Sequence, residues 1–128
     1  LTKKARAIVR KEIPMDDFVT DMGNACGMVR AVQIKDAVLF GTSIHDAVVE
    51  PHRAGLIPGF FDVKRSALSA GALGCSISGA GASVFAVADR KETAVEVGRA
   101  MLEAFLRNKV TSVVTLARVD KEGARVTG

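Results

Sequence analysis

The amino-acid sequence predicts an α+β protein whose helices crowd ahead of a small sheet. Three observations carry that expectation. The chain of 128 residues has the length of a single domain, residues 1–128. Its composition, 48% apolar and 25% charged, suits a folded chain and is too apolar for a disordered one. From Phe60 onward the hydrophobic pattern reads helix, strand, strand, helix, strand. That order is the split βαβ, or ferredoxin-like, arrangement without its opening strand. Either that strand precedes the chain, or the sheet has only three main strands. A chain this long buries about two-thirds of its unfolded surface, so no disulfide or metal staple is required.

The elements follow in order. Residues 2–11 carry Ala5, Ile8 and Val9 at helical spacing, with Thr2 as the candidate cap, and end before Pro14. Asp16 opens a longer helix with Phe18, Met22, Ala25, Cys26, Val29 and Val32 on one stripe. Gly23 and Gly27 weaken that helix, so they are expected where another element comes close. Residues 36–41 form a helical turn, and residues 43–50 another that stops at Pro51. Residues 51–60 read as a structured loop, because Leu56, Ile57 and Phe60 require burial. Phe60, Val63, Ala67 and Ala70 then mark a helix that Gly71 ends. Residues 74–78 form a strand, Gly79-Ala80-Gly81 a turn, and residues 83–88 a second, more buried strand. Asp89 is the candidate cap of a helix reaching about Lys109, with Ala94, Val97, Met101, Ala104 and Phe105 inward. The β-branched run at 111–119 reads as a strand, and the tail holds a Gly turn with a last short strand.

Composition excludes several functions. No apolar run approaches the roughly 20 residues of a membrane span, and the N-terminal residues do not form a signal peptide. The net charge of +4 gathers at Lys3, Lys4, Arg6, Arg10 and Lys11, most simply a solvated helix face. Nucleic acid is not the expected partner: Trp and Tyr are absent, and the second strand offers only Phe85 for stacking bases. Cys26 and Cys75 are too far apart for a CxxC pair, and His45 and His52 have no ligand-spaced neighbours. Free thiols, a reducing cytoplasmic setting and no metal are expected.

The informative segment is the glycine-rich run of residues 71–87. Gly79 and Gly81 begin a G-x-G, but Val84 breaks the dinucleotide fingerprint, and no Lys-Ser/Thr pair follows to make a P-loop. A strand rather than a helix follows the turn, so no helix N-terminus faces a phosphate. Backbone N–H groups lining a site and plain tolerance of positive φ both remain open from the residues alone.

The run SISGAGASVFAV resembles the third signature motif of the GHMP small-molecule kinases, the superfamily of galactokinase, homoserine kinase and mevalonate kinase. EPHRAGLIPGF, residues 50–60, is similar to the E-P-x-R-x-x-L-I-P-G-F segment of the homoserine kinase family. LTKKAR at the start resembles that family's S-T-x-x-A-R, and RVDKEGARV its closing segment. One departure is Ala82, where the family commonly has Pro; both glycines are kept. The resemblance implies the C-terminal domain of such a kinase, with the N-terminal ATP-binding domain, its nucleotide loop and its Mg²⁺-coordinating groups absent. The implied reaction moves the γ-phosphoryl of ATP to the hydroxyl of L-homoserine, giving O-phospho-L-homoserine for threonine biosynthesis. The implied partners are L-homoserine and the chain's own N-terminal domain, and the isolated domain should be inactive.

A homoserine carboxylate needs a cation, and a guanidinium binds it through two parallel hydrogen bonds. The resemblance maps the carboxylate-binding arginines onto Arg6 and Arg53, and the substrate-facing backbone onto Gly79, with Ala80 and Gly81 beside it. Without the resemblance, Arg6 reads as a surface cation, and Arg53 as a structural partner of Glu50 or Asp46. With it, Glu50 and Asp46 are expected to orient Arg53. Ser78 and Ser83 read as turn residues, not nucleophiles. Two other functions compete: a stand-alone ferredoxin-like module that binds an amino acid, and the C-terminal domain of another GHMP kinase. A homodimer is compatible with an isolated domain that exposes apolar surface.

Overall fold

The computed structural model describes residues 2–120 and 122–126. Six helices and one hairpin appear among them: α1 Thr2–Ala7, α2 Met15–Ile34, α3 Ala37–Thr42, α4 Glu50–Ala54, α5 Phe60–Ser69, β1 Gly74–Ile77, β2 Val84–Val87 and α6 Lys91–Arg107. The strands are antiparallel, with Gly74 opposite Val87 and Ile77 opposite Val84. α5 and α6 pack on each other and on the hairpin, enclosing Ala54, Ile57, Phe60, Val63, Ala104 and Phe105. Ala67, Cys75 and Val97 extend this core toward the far end of α5. The inward stripes read from the sequence for α5 and α6 are therefore the ones that meet, and the architecture is α+β.

Several boundaries differ from expectation, each for a local reason. α1 stops at Ala7 rather than residue 11, and Thr2 is its first helical residue rather than its cap. The chain must become extended before Pro14, which takes φ −56 and ψ 140 and leads into α2. Residues 43–49 are not helical; the helix begins at Glu50, with Pro51 in its first turn. A proline stops a helix from upstream but starts one well, because the first N–H groups have no helical acceptor to lose. Asp46 prepares that start by accepting the N–H groups of Val48 (3.0 Å) and Val49 (2.6 Å). α6 is preceded by Arg90 in extended conformation with no side-chain cap, so Asp89 does not cap it.

Two larger differences concern packing. The α2 stripe exists, but it faces outward: among the described residues of α2 only Ala31 is buried. The inner side is polar and small. Asp21 accepts the Ala47 N–H at 2.8 Å, Asn24 donates to the His45 carbonyl at 2.8 Å, and Gly27 leaves room for Ser43. Gly23, in contrast, has nothing within 4 Å of where a Cβ would stand.

The run at 111–119 forms no ladder, and the described tail forms no last strand. Val114 and Leu116 lie along α6, where a Cβ at Gly98 would sit 2.9 and 3.8 Å from their methyl groups. In a split βαβ sheet the last strand pairs with the first. No described residues supply that first strand, so the run has no backbone partner.

Candidate functional site

Arg53 sits in the last turn of the short helix α4 and joins three segments. Its Nη1 donates to the Gly79 carbonyl at 2.8 Å, and its Nε points to the Ala5 carbonyl at 3.4 Å, a long and weak contact. A guanidinium carries five N–H donors. The Nη2 group and one hydrogen of Nη1 therefore remain for an anion.

The glycine turn owes its shape to backbone freedom. Gly79 and Gly81 have φ of +57 and +77, which side chains rarely tolerate. Ser78 donates its N–H to Ser83 at 2.8 Å, and Gly81 donates to Ser78 at 3.0 Å, closing the turn. A Cβ at Gly81 would stand 3.0 Å from Ile57, so the loop after α4 and the turn are in direct apposition. Ala80 is half-buried, and Gly79 is exposed.

Arg6 is exposed and follows Ala5, which is fully buried and whose carbonyl faces Arg53. The three segments that carry the predicted residues thus meet at one place: α1 with Arg6, α4 with Arg53, and the turn with Gly79, Ala80 and Gly81. The predicted partners of Arg53 do not touch it. Asp46 caps α4. Glu50, only 5% exposed, accepts the Ser76 hydroxyl at 2.6 Å and pairs with Lys64.

This Glu50–Lys64–Ser76 group is what sequence reasoning missed. It ties the start of α4 to α5 and β1, so both ends of the Arg53–Gly79 link hang from it. The only trace in the sequence was a carboxylate set among apolar residues. The neighbouring Cys75 thiol is pushed up to about 11, mainly by burial, with Lys64 opposing and Glu50 reinforcing the shift. It is an inert core group.

The Arg53–Gly79 bond lies at the exposed surface. Two concavities, of about 540 and 240 Å³, lie instead beside residues 10–14, the smaller one also lined by Ala47, Val48, Pro51 and His52. Neither is lined by Arg6, Arg53 or the glycine turn. Among the described residues no group of His, Cys, Asp and Glu could hold a metal, and no helix is long and apolar enough to cross a membrane.

Comparison with known proteins agrees with this architecture. The family described as GHMP kinases C terminal matches residues 28–108. A homoserine kinase of Chlorobium phaeobacteroides (strain DSM 266) is 44% identical over 127 residues, covering 98% of this chain and 40% of that protein. A homoserine kinase of Arabidopsis thaliana is 45% identical over 127 residues, 98% of this chain and 34% of that protein. The crystal structure of homoserine kinase from Cytophaga hutchinsonii superposes with a TM-score of 0.81 at 48% identity, over 84% of this chain and 34% of that one. The chain spans about 40% or less of the length of these relatives. With a family match across most of its length, and relatives this similar from end to end, the chain belongs to the GHMP kinases and carries their C-terminal domain.

Proposed function

We propose that this chain is the amino-acid-holding part of a homoserine kinase, an enzyme that moves the γ-phosphoryl of ATP to the hydroxyl of L-homoserine. Arg53, fixed to the Gly79 carbonyl at 2.8 Å, carries the proposal. That bond uses one hydrogen of Nη1 and leaves the other, with Nη2, for the substrate carboxylate. Arg6, one residue beyond the carbonyl that faces Arg53, supplies a second cation. Gly79, Ala80 and Gly81 form the wall against which the substrate lies. A side chain at Gly79 would intrude on that wall.

ATP and Mg²⁺ belong to an N-terminal domain, in the part of the relatives that this chain does not span. Phosphoryl transfer is chiefly positioning and charge stabilisation. The share of this chain is to hold the acceptor hydroxyl in place while the other domain holds the nucleotide. Alone it is expected to be inactive, which also agrees with the exposed position of the Arg53–Gly79 bond. A self-sufficient amino-acid sensor requires an enclosed site, and neither concavity beside residues 10–14 is lined by the proposed residues. Two unpaired thiols suit a cytoplasmic setting.

The test is steady-state kinetics of the complete kinase that includes this chain. Losing a charge-assisted hydrogen-bonded pair costs about 1.5–3 kcal/mol, so Arg53→Ala is expected to lower kcat/KM for homoserine by roughly 10- to 150-fold. The KM for ATP should stay unchanged. Arg53→Lys should recover little, because an ammonium lacks the planar fork. An equal loss for both substrates, or none, would contradict the assignment.

A further inference from the structure

Two hydrogen bonds join α4 to the segment that leads into the glycine turn. The Ser76 hydroxyl donates to Oε2 of Glu50 at 2.6 Å, and Nη1 of Arg53 donates to the Gly79 carbonyl at 2.8 Å. Both link residues 26 apart in sequence. Glu50 and Arg53 lie three residues apart on α4, neighbours on one side of the helix. Ser76 and Gly79 lie three residues apart along β1 and its turn. The bonds are therefore successive rungs between the same two segments. Their surroundings differ. Glu50 and Ser76 are buried, whereas the Arg53 rung lies at the surface. The second carboxylate oxygen of Glu50, Oε1, pairs with Lys64 on α5, next to the fully buried Val63.

We propose, on the reading of Arg53 as the carboxylate ligand, that the Ser76–Glu50 bond is a positioning contact for the amino-acid substrate. It sets how α4 lies against β1, and with that the direction of the N–H groups that Arg53 keeps for an anion. A buried ion pair is a poor source of stability, because desolvation offsets most of what the charges gain and apolar side chains of similar volume serve as well. Directional bonds fix geometry instead. A hydrogen bond open to water exchanges with hydration and holds its partners less firmly than one kept dry. The buried rung is thus the one that fixes the register, and the surface rung inherits it. Without the Ser76 hydroxyl, Arg53–Gly79 is the one hydrogen bond left between α4 and this segment among the described residues. A guanidinium that tilts loses the two parallel hydrogen bonds by which it recognises a carboxylate. Neither Ser76 nor Glu50 touches the substrate; both act through Arg53.

Steady-state kinetics of the complete kinase test this through Ser76→Ala, which removes the hydroxyl and keeps Glu50 and Lys64. The KM for homoserine is expected to rise by about fivefold, with kcat and the KM for ATP within about twofold of the parent. A mere loss of folded protein does the reverse: it lowers apparent kcat and leaves both KM values in place. In an Arg53→Ala background, Ser76→Ala should change the homoserine KM by less than about twofold, because the group it positions is gone. An unchanged homoserine KM in Ser76→Ala, beside an impaired Arg53→Ala, would overturn the positioning role and leave the reading of Arg53 standing. An equal rise in both backgrounds would overturn it too, since the effect would not run through Arg53. Full kcat/KM for homoserine in Arg53→Ala would remove the reading itself, and the positioning role with it.

Discussion

Arg53 draws its usefulness from being half committed. One Nη1 hydrogen is spent on Gly79 and Nε faces Ala5, which fixes the plane of the guanidinium and leaves Nη2 for the carboxylate of the proposed substrate. Glu50 sets the helix that carries it. Breaking a buried ion pair by removing one partner leaves the other charge uncompensated, and Lys64 is only partly exposed at 19%. Glu50→Gln is therefore expected to lower stability by about 2–3 kcal/mol in urea unfolding, while Ser76→Ala costs about 1 kcal/mol. A neutral outcome for Glu50→Gln would mean that the pair is not made in solution. The thiols offer a cleaner contrast. Cys26 is exposed, and Cys75 is buried with its pKa pushed up to about 11. A maleimide at neutral pH should modify Cys26 within minutes and leave Cys75 until the chain unfolds. Asp62 gives the acid limb of stability. Its carboxyl is held below its ordinary value, first by the hydrogen bond from Arg65, and then by Asn108 and the Arg107 charge. A folded-state pKa below the unfolded one contributes stability that is present at neutral pH and lost as pH falls below about 4. Asp62→Asn should thus flatten the loss of stability between neutral and acid urea titrations.

At the scale of elements, what the sequence made legible was whatever packs apolar against apolar. Phe60, Val63 and Ala67 on α5, and Val97, Ala104 and Phe105 on α6, show a period of 3.6 because each faces a real core. α2 has the same signature and turns it outward. Periodicity finds a stripe but not the side that the chain covers, and here the inner contacts are Asp21 and Asn24 with backbone groups far along the sequence. Glu50 escaped for the same reason: its partners, Lys64 and Ser76, lie on other elements, so no local spacing announces them. The convergence of α1, α4 and the turn was readable only through family resemblance, since composition gives α1 no reason to lie against Arg53. Residues 111–119 have strand chemistry, but a strand is made by its neighbour. Capping was misread as well: Thr2 lies inside α1, Asp89 does not cap α6, and the aspartate that does cap α3 was read only as the start of a turn. Asp36 accepts the Leu39 N–H at 2.9 Å at the start of α3, so Asp36→Ala should cost about 1 kcal/mol in the same unfolding assay.

At the scale of the whole molecule, the chain is one domain of a longer family architecture, about 40% or less of the length of its relatives. Arg53 and the glycine turn meet at an exposed place, and β2 and residues 111–119 have no further strand partners among the described residues. Both features suit a domain that is completed from outside. Calorimetric titration of the chain alone should accordingly give weak or undetectable heats with homoserine, threonine and ATP. Tight binding of an amino acid would favour the sensor reading instead. The central claim is narrower: the guanidinium of Arg53 holds the carboxylate of the substrate. The most direct measurement compares homoserine with 3-amino-1-propanol, the same amino alcohol without its carboxylate, on the complete kinase and its Arg53→Ala variant. The account predicts that the substitution lowers kcat/KM sharply for homoserine and hardly at all for the analogue. Equal losses for the two substrates would contradict it.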